Sequence, residues 1–179
     1  MQIPWVPGVS LKEYAKDRNS AIFPIILKCP ICGAEIKLCR HGFYSRNVIT
    51  SRREYCIDIC RYFCRSCRRT ISLLPIFLLP YFQQDRQSIL KSLRDYFTHG
   101  TIWPYRQIAG WYRQRFLRNL AAAIIGALRE ERLLYRVPDD ENEKAIKVID
   151  RLIASPARVM TINGHFTNRI LYNFMAYSL

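Results

Sequence analysis

Two Cys-x-x-Cys pairs, Cys29-Pro30-Ile31-Cys32 and Cys64-Arg65-Ser66-Cys67, constrain this chain more than any other feature. Each pair places two thiolates on one tight turn, where both reach a single ion at about 2.3 Å. Four thiolates from two such turns close a tetrahedral site, and a closed site organises a fold rather than performing a reaction. The 31 residues between the pairs suffice for a small antiparallel sheet that brings the two knuckles together. The expected product is a zinc ribbon, with structural Zn2+ held by Cys29, Cys32, Cys64 and Cys67. Without the ion, so small a module has little core to hold it.

All seven cysteines fall within 39 residues. An odd number, with no secretory pattern in Met1-Gln2-Ile3-Pro4-Trp5, argues for metal in a reducing compartment rather than disulfides. The longest apolar run, residues 71–80, is interrupted by Pro75 and too short to span a bilayer. A soluble, cytoplasmic protein with no membrane partner is expected. Cys39, His41, Cys56 and Cys60 stand outside the two pairs. They form a second metal site, substitute for a ligand in the first, or are ordinary packing, with His41 steadying a turn before Gly42. On a straight strand Cys56 and Cys60 lie about 13 Å apart, too far to share one ion, which favours packing.

Charge points to the partner. The chain has 28 Lys/Arg against 14 Asp/Glu, a formal net charge of +14, and 21 of the basic residues are arginine. Residues 28–69 hold ten basic side chains and three acids; residues 86–118 hold seven and one. Such a surplus suits a polyanion, and arginine suits bidentate contacts to phosphate or guanine. The expected nucleic-acid contacts are Arg61, Arg65, Arg68 and Arg69 around the second knuckle, and Arg106, Arg113, Arg115 and Arg118 further on. DNA is the expected partner.

The pattern divides the chain into an N-terminal arm (1–23), a zinc ribbon with an apolar connector (24–82) and a helical domain (83–179). In the ribbon, residues 46–50 and 54–63 read as strands, the second by alternation of Tyr55, Ile57, Ile59, Arg61 and Phe63 with Cys56, Asp58, Cys60 and Tyr62. From Gln87 the period lengthens to that of a helix, with Ile89, Leu90, Leu93 and Phe97 on one face and His99-Gly100 as its end. Further helices are expected over 105–115, with Ile108 and Trp111 or Tyr112 inward, over 117–134, over 143–154 with Asp140 as N-cap, and over 167–177. Arg106 and Arg113, two turns apart, share a face, as a recognition helix requires. The fold class is therefore α+β: a small β zinc ribbon followed by an all-α, helix-turn-helix-like bundle.

A resemblance sharpens this reading. Cys29-Pro30-Ile31-Cys32, then His41-Gly42-Phe43-Tyr44-Ser45-Arg46, then Arg61-Tyr62-Phe63-Cys64-Arg65-Ser66-Cys67 resembles the N-terminal zinc ribbons of bacterial insertion-sequence transposases and their accessory proteins. The continuation Ser72-Leu73-Leu74-Pro75-Ile76-Phe77-Leu78-Leu79-Pro80-Tyr81 is similar to an uncharacterised bacterial family in which such a ribbon precedes a helix-turn-helix-like region. Where those ribbons often have glycine after the last cysteine, this chain has Arg68.

No catalytic framework accompanies the motif. The 14 acids show no strand-borne Asp series of the kind a two-metal DDE transposase needs, and the three histidines fit no nucleophile–base spacing. The expected function is thus a non-catalytic, transposon-related DNA-binding protein, an accessory factor or a transcriptional regulator. The alternatives are a module docking on a transposase or polymerase through the ribbon and residues 73–82, and a truncated transposase that keeps only its DNA-binding end.

Overall fold

The computed structural model describes residues 1–17, 23–100, 106–120, 124–130, 132, 134 and 136–154. These residues form two compact units, one from Met1 to Asp85 and the other starting at Arg86. The expected turns at 101–104, 155–156 and 163–164 and the helix over 167–177 lie outside the described residues.

The first unit is a four-stranded sheet with one helix. Its elements are β1 (Gln2–Trp5), α1 (Leu11–Asp17), β2 (Cys39–Ile49), β3 (Glu54–Phe63) and β4 (Thr70–Pro75), and the strand order is β1-β4-β3-β2. β2 and β3 form an antiparallel hairpin from Cys39↔Phe63 to Ile49↔Glu54. Thr50 closes it, its hydroxyl donating to the Arg53 carbonyl at 2.7 Å. β4 adds to β3 antiparallel, with Arg61↔Ser72 and Phe63↔Thr70, and β1 adds to β4 in parallel, with Gln2↔Ser72 and Trp5↔Pro75.

Three expectations change. The first residues do not form a separate arm: β1 is an edge strand of the sheet, where Pro4 removes no ladder donor that a neighbour needs. Residues 71–75 are not connector but strand. β4 lies between β1 and β3, and towards its end both faces are covered, so Leu73, Leu74 and Pro75 are all buried and the period-two signal of a half-exposed strand is lost there. β2 begins at Cys39 rather than 46, and His41 lies in the strand and not in a turn.

One face of the sheet carries α1. Ser10 and Glu13 form a capping box: the Ser10 backbone N–H donates to Glu13 Oε2 at 2.8 Å, and the Glu13 N–H donates to Ser10 Oγ at 3.3 Å. That start directs Tyr14 into the core, where it is fully buried and its hydroxyl donates to the Asp58 carbonyl at 3.0 Å. Its ring packs against Trp5 and Phe77, and Trp5 also meets Phe23. The segment after β4 folds back along the sheet. Arg46 Nη2 donates to the carbonyls of Leu79, at 2.9 Å, and Phe82, which pins a loop whose Leu78, Leu79 and Phe82 are buried.

In the second unit the described helices are α2 (Arg86–His99), α3 (Arg106–Asn119), α4 (Ile125–Glu130) and α5 (Glu141–Ala154). α2 buries Ile89, Leu90, Leu93 and Phe97, as the sequence period implies, and ends at Gly100, which has φ 64° and whose N–H bonds the Tyr96 carbonyl. α5 buries Ala145, Val148, Ile149 and Leu152 and packs against α2. Arg86 Nη2 donates to the Leu152 carbonyl at 2.8 Å, satisfying an end carbonyl of α5. Asp140 caps α5, its Oδ1 accepting from the Glu143 N–H at 2.9 Å. α3 runs unbroken past the expected end at 115. Its inward face is Ala109, Tyr112 and Phe116, whereas Ile108 and Trp111 are each 42% exposed.

Candidate metal centre

The two knuckles meet at one end of the first unit's sheet. Cys64 follows directly on β3, so the hairpin that pairs Cys39 with Phe63 also carries Cys29 and Cys32 towards Cys64 and Cys67. Within the first knuckle, the Cys29 N–H donates to the Ala34 carbonyl and the Gly33 N–H to the Cys29 carbonyl, both at 2.9 Å. In the second, the Cys64 N–H donates to the Arg69 carbonyl at 3.0 Å, the same five-residue closure.

The sulfur geometry is that of a tetrahedron. Cys29 Sγ lies 3.8 Å from Cys67 Sγ and Cys32 Sγ lies 3.8 Å from Cys64 Sγ, so each short edge joins one sulfur from each pair. All four sulfurs fall within 4.8 Å of one another. Metal–sulfur bonds of about 2.3 Å imply a tetrahedron edge of about 3.8 Å. A disulfide would need about 2.05 Å, and all seven cysteines are free thiols. These four residues therefore form a possible metal-binding site, ready in shape for a tetrahedrally coordinated ion.

Position and electrostatics agree with that role. Cys29 and Cys64, the first cysteine of each pair, are buried; Cys67 is half-buried and Cys32 exposed, which sets the site at the surface with its base in the core. The backbone at Ala34 holds the Cys32 thiol down to about 7, and loss of water pushes Cys67 up to about 11. A bound cation stabilises the thiolate form of its ligands, so metal binding and loss of thiol protons are linked.

The remaining candidates do not join it. Among the described residues no second group of three or more such ligands converges, so Cys39, His41, Cys56 and Cys60 do not build a second site. Cys60 is fully buried, with its thiol pushed up to about 11 chiefly by burial, while Cys56 is exposed. The His41 ring lies 5.4 Å from that of Phe63.

The eight arginines divide. Arg65, Arg68 and Arg69 are exposed on the second knuckle, and Arg61 is half-buried on β3. Of the four expected contacts in the helical unit, Arg118 is exposed. Arg113 is half-buried over the Tyr96 ring at 5.4 Å, and Arg115 is 8% exposed, 4.8 Å from the centre of the Trp111 ring. Arg106 begins α3, with its side chain outside the described atoms. Sequence spacing missed Arg68's conformation: it has φ 55°, matching φ 73° at Gly33 in the equivalent place, and the signals for it are the knuckle symmetry and the glycine often found there in the resembling ribbons.

A four-cysteine cluster at the end of a small sheet, followed by helices, is compatible with a zinc ribbon leading a mixed α/β chain. Residues 29–107 match the family model of a domain of unknown function, DUF6431, which begins on the first ligand cysteine and reaches the start of α3. No curated protein and no solved structure matches the chain. Among the described residues no helix is long and apolar enough to cross a membrane.

Proposed function

We propose that this chain is a non-catalytic, zinc-dependent DNA-binding protein, related to transposable elements and acting as an accessory factor or transcriptional regulator. The observation that carries the reading is the placement of Arg65, Arg68 and Arg69. All three are exposed on the very turn that supplies Cys64 and Cys67, so a bound ion fixes a cationic tip in space. Zinc is the ion that four thiolates in a tetrahedron favour, and it adds no redox chemistry. In the second unit Arg118 and the aromatic-backed Arg113 supply cations on α3, which with α2 serves as the helix-turn-helix-like half.

The docking alternative has less to stand on. Of residues 73–82, Leu73, Leu74, Leu78, Leu79 and Phe82 are core, leaving Tyr81, at 90% exposure, as the chief apolar group at the surface.

The test is binding to duplex DNA across salt concentrations, with and without a chelator. Affinity falls steeply with salt, because each phosphate contact releases counterions, and chelation weakens it further. A flat salt dependence overturns the proposal.

A further inference from the structure

We infer that the open end of the ribbon's sheet, bearing His41, Tyr44, Arg61 and Phe63, is a stacking surface for unpaired bases of single-stranded DNA. The inference rests on the nucleic-acid reading above and assigns that reading a second contact surface of different chemistry.

The face is assembled by a bulge. β2 pairs Arg40 with Tyr62 and then Phe43 with Cys60, so three residues on β2 advance against two on β3. Gly42 takes up the extra residue with φ 80°, a left-handed backbone that glycine adopts without strain. In an uninterrupted strand, residues 41 and 44 project from opposite faces. Here the slip brings them to one. The His41 ring meets Phe63 at 5.4 Å, and Tyr44 pairs with Ile59, which shares its face with Arg61 and Phe63. The opposite face, with Phe43, Cys60 and Tyr62, is the one against Phe23, Pro24 and α1.

The composition of this end suits a nucleotide. His41 is exposed, and Tyr44, Arg61 and Phe63 are half-buried, so three aromatic side chains and one arginine on this face keep some access to solvent. Arg61 Nε has no hydrogen-bond partner among the described residues, although the atom itself is shielded from water. Ser72 pairs with Arg61 and Gln2 pairs with Ser72, so two half-buried polar groups continue the row across the sheet. Aromatic side chains on a sheet stack against bases of any identity, a guanidinium does the same or meets phosphate, and neither reaches a base inside a duplex. The arginines at 65, 68 and 69 follow within a few residues to track the backbone.

The experiment compares the zinc-loaded full chain with its His41→Ala, Tyr44→Leu and Phe63→Leu variants. The probes are one labelled mixed-sequence oligonucleotide, single-stranded, and the same sequence as a duplex; zinc content and melting temperature report folding. The expected result is loss of single-strand affinity by about fivefold or more in each folded variant, with duplex affinity changed less than about twofold. His41→Ala keeps the test decisive should Phe63→Leu disturb the neighbouring cysteine, because His41 is exposed. Unchanged single-strand affinity in the folded variants overturns the inference. Wild-type binding to duplex alone overturns it too, while leaving the proposed function standing. Binding to neither probe overturns the proposed function itself.

Discussion

Gly33 and Arg68 occupy the same place in two copies of one turn. Each follows the second cysteine of its pair, each precedes the residue whose carbonyl closes the turn, and both have left-handed backbones, φ 73° and 55°. Glycine takes that conformation freely, whereas a side chain there costs about 1–2 kcal/mol. The arginine at 68 thus keeps the knuckle's shape against its own backbone preference.

Replacing Arg68 with glycine relieves the strain but loosens the unfolded chain. The zinc-loaded protein is expected to gain about 0.5–1 kcal/mol in urea unfolding, with unchanged zinc stoichiometry. Gly33→Ala acts in reverse. A Cβ there meets nothing within 4 Å, so the loss, about 1 kcal/mol, is purely conformational. If both variants matched the wild type, the symmetry of the knuckles would carry no energetic weight.

Metal content separates ligands from bystanders. Native mass spectrometry should find one zinc per chain, lost in Cys64→Ser and retained in Cys56→Ser and Cys60→Ala. The backbone at Ala34 holds the Cys32 thiol down while loss of water pushes the Cys67 thiol up, so zinc must displace protons from the cluster. Apparent zinc affinity therefore rises with pH and weakens progressively as pH falls, because protons compete with the metal for the sulfurs. A pH-independent affinity would exclude a thiolate site.

Tyr62 makes the first unit sensitive to alkali. Burial pushes its phenol up to about 12, against roughly 10 in the unfolded chain, and its hydroxyl donates to the Pro24 carbonyl at 2.6 Å. The folded state prefers the neutral phenol, so this contribution is complete below pH 10 and disappears as pH rises towards 12. Tyr62→Phe should cost about 1 kcal/mol at neutral pH and flatten the loss of melting temperature between pH 10 and 12. An unaltered alkaline slope would count against the assignment.

Two polar contacts on the helical unit are expected to differ in weight. Asp140→Ala removes the cap on α5 and should lower stability by about 1 kcal/mol. Arg94→Gln breaks a 2.7 Å ion pair with Asp150, but both side chains are nearly half exposed and screened by solvent, and the expected loss is smaller than that of the cap. Urea titrations of the two variants give the ranking directly.

Local chemistry made much of the chain legible in advance. The cysteine spacing named the four residues that converge, because two thiolates on one tight turn can serve little else. The helical period of Ile89, Leu90, Leu93 and Phe97 placed α2, and Asp140 announced the start of α5 by its own hydrogen bond. Where burial comes from several sides, the period disappears: β4 looked like a connector because both its faces are covered towards its end, and β1 looked like an arm because its partner lies some 70 residues away. The tertiary structure alone decided that Tyr112 rather than Trp111 faces inward, that Cys60 is core while Cys56 is not, and that a single glycine bulge turns His41 and Tyr44 to one face. Those outcomes depend on strand register and on which surfaces meet. Neighbours in sequence set the turns and caps, but only neighbours in space set the faces.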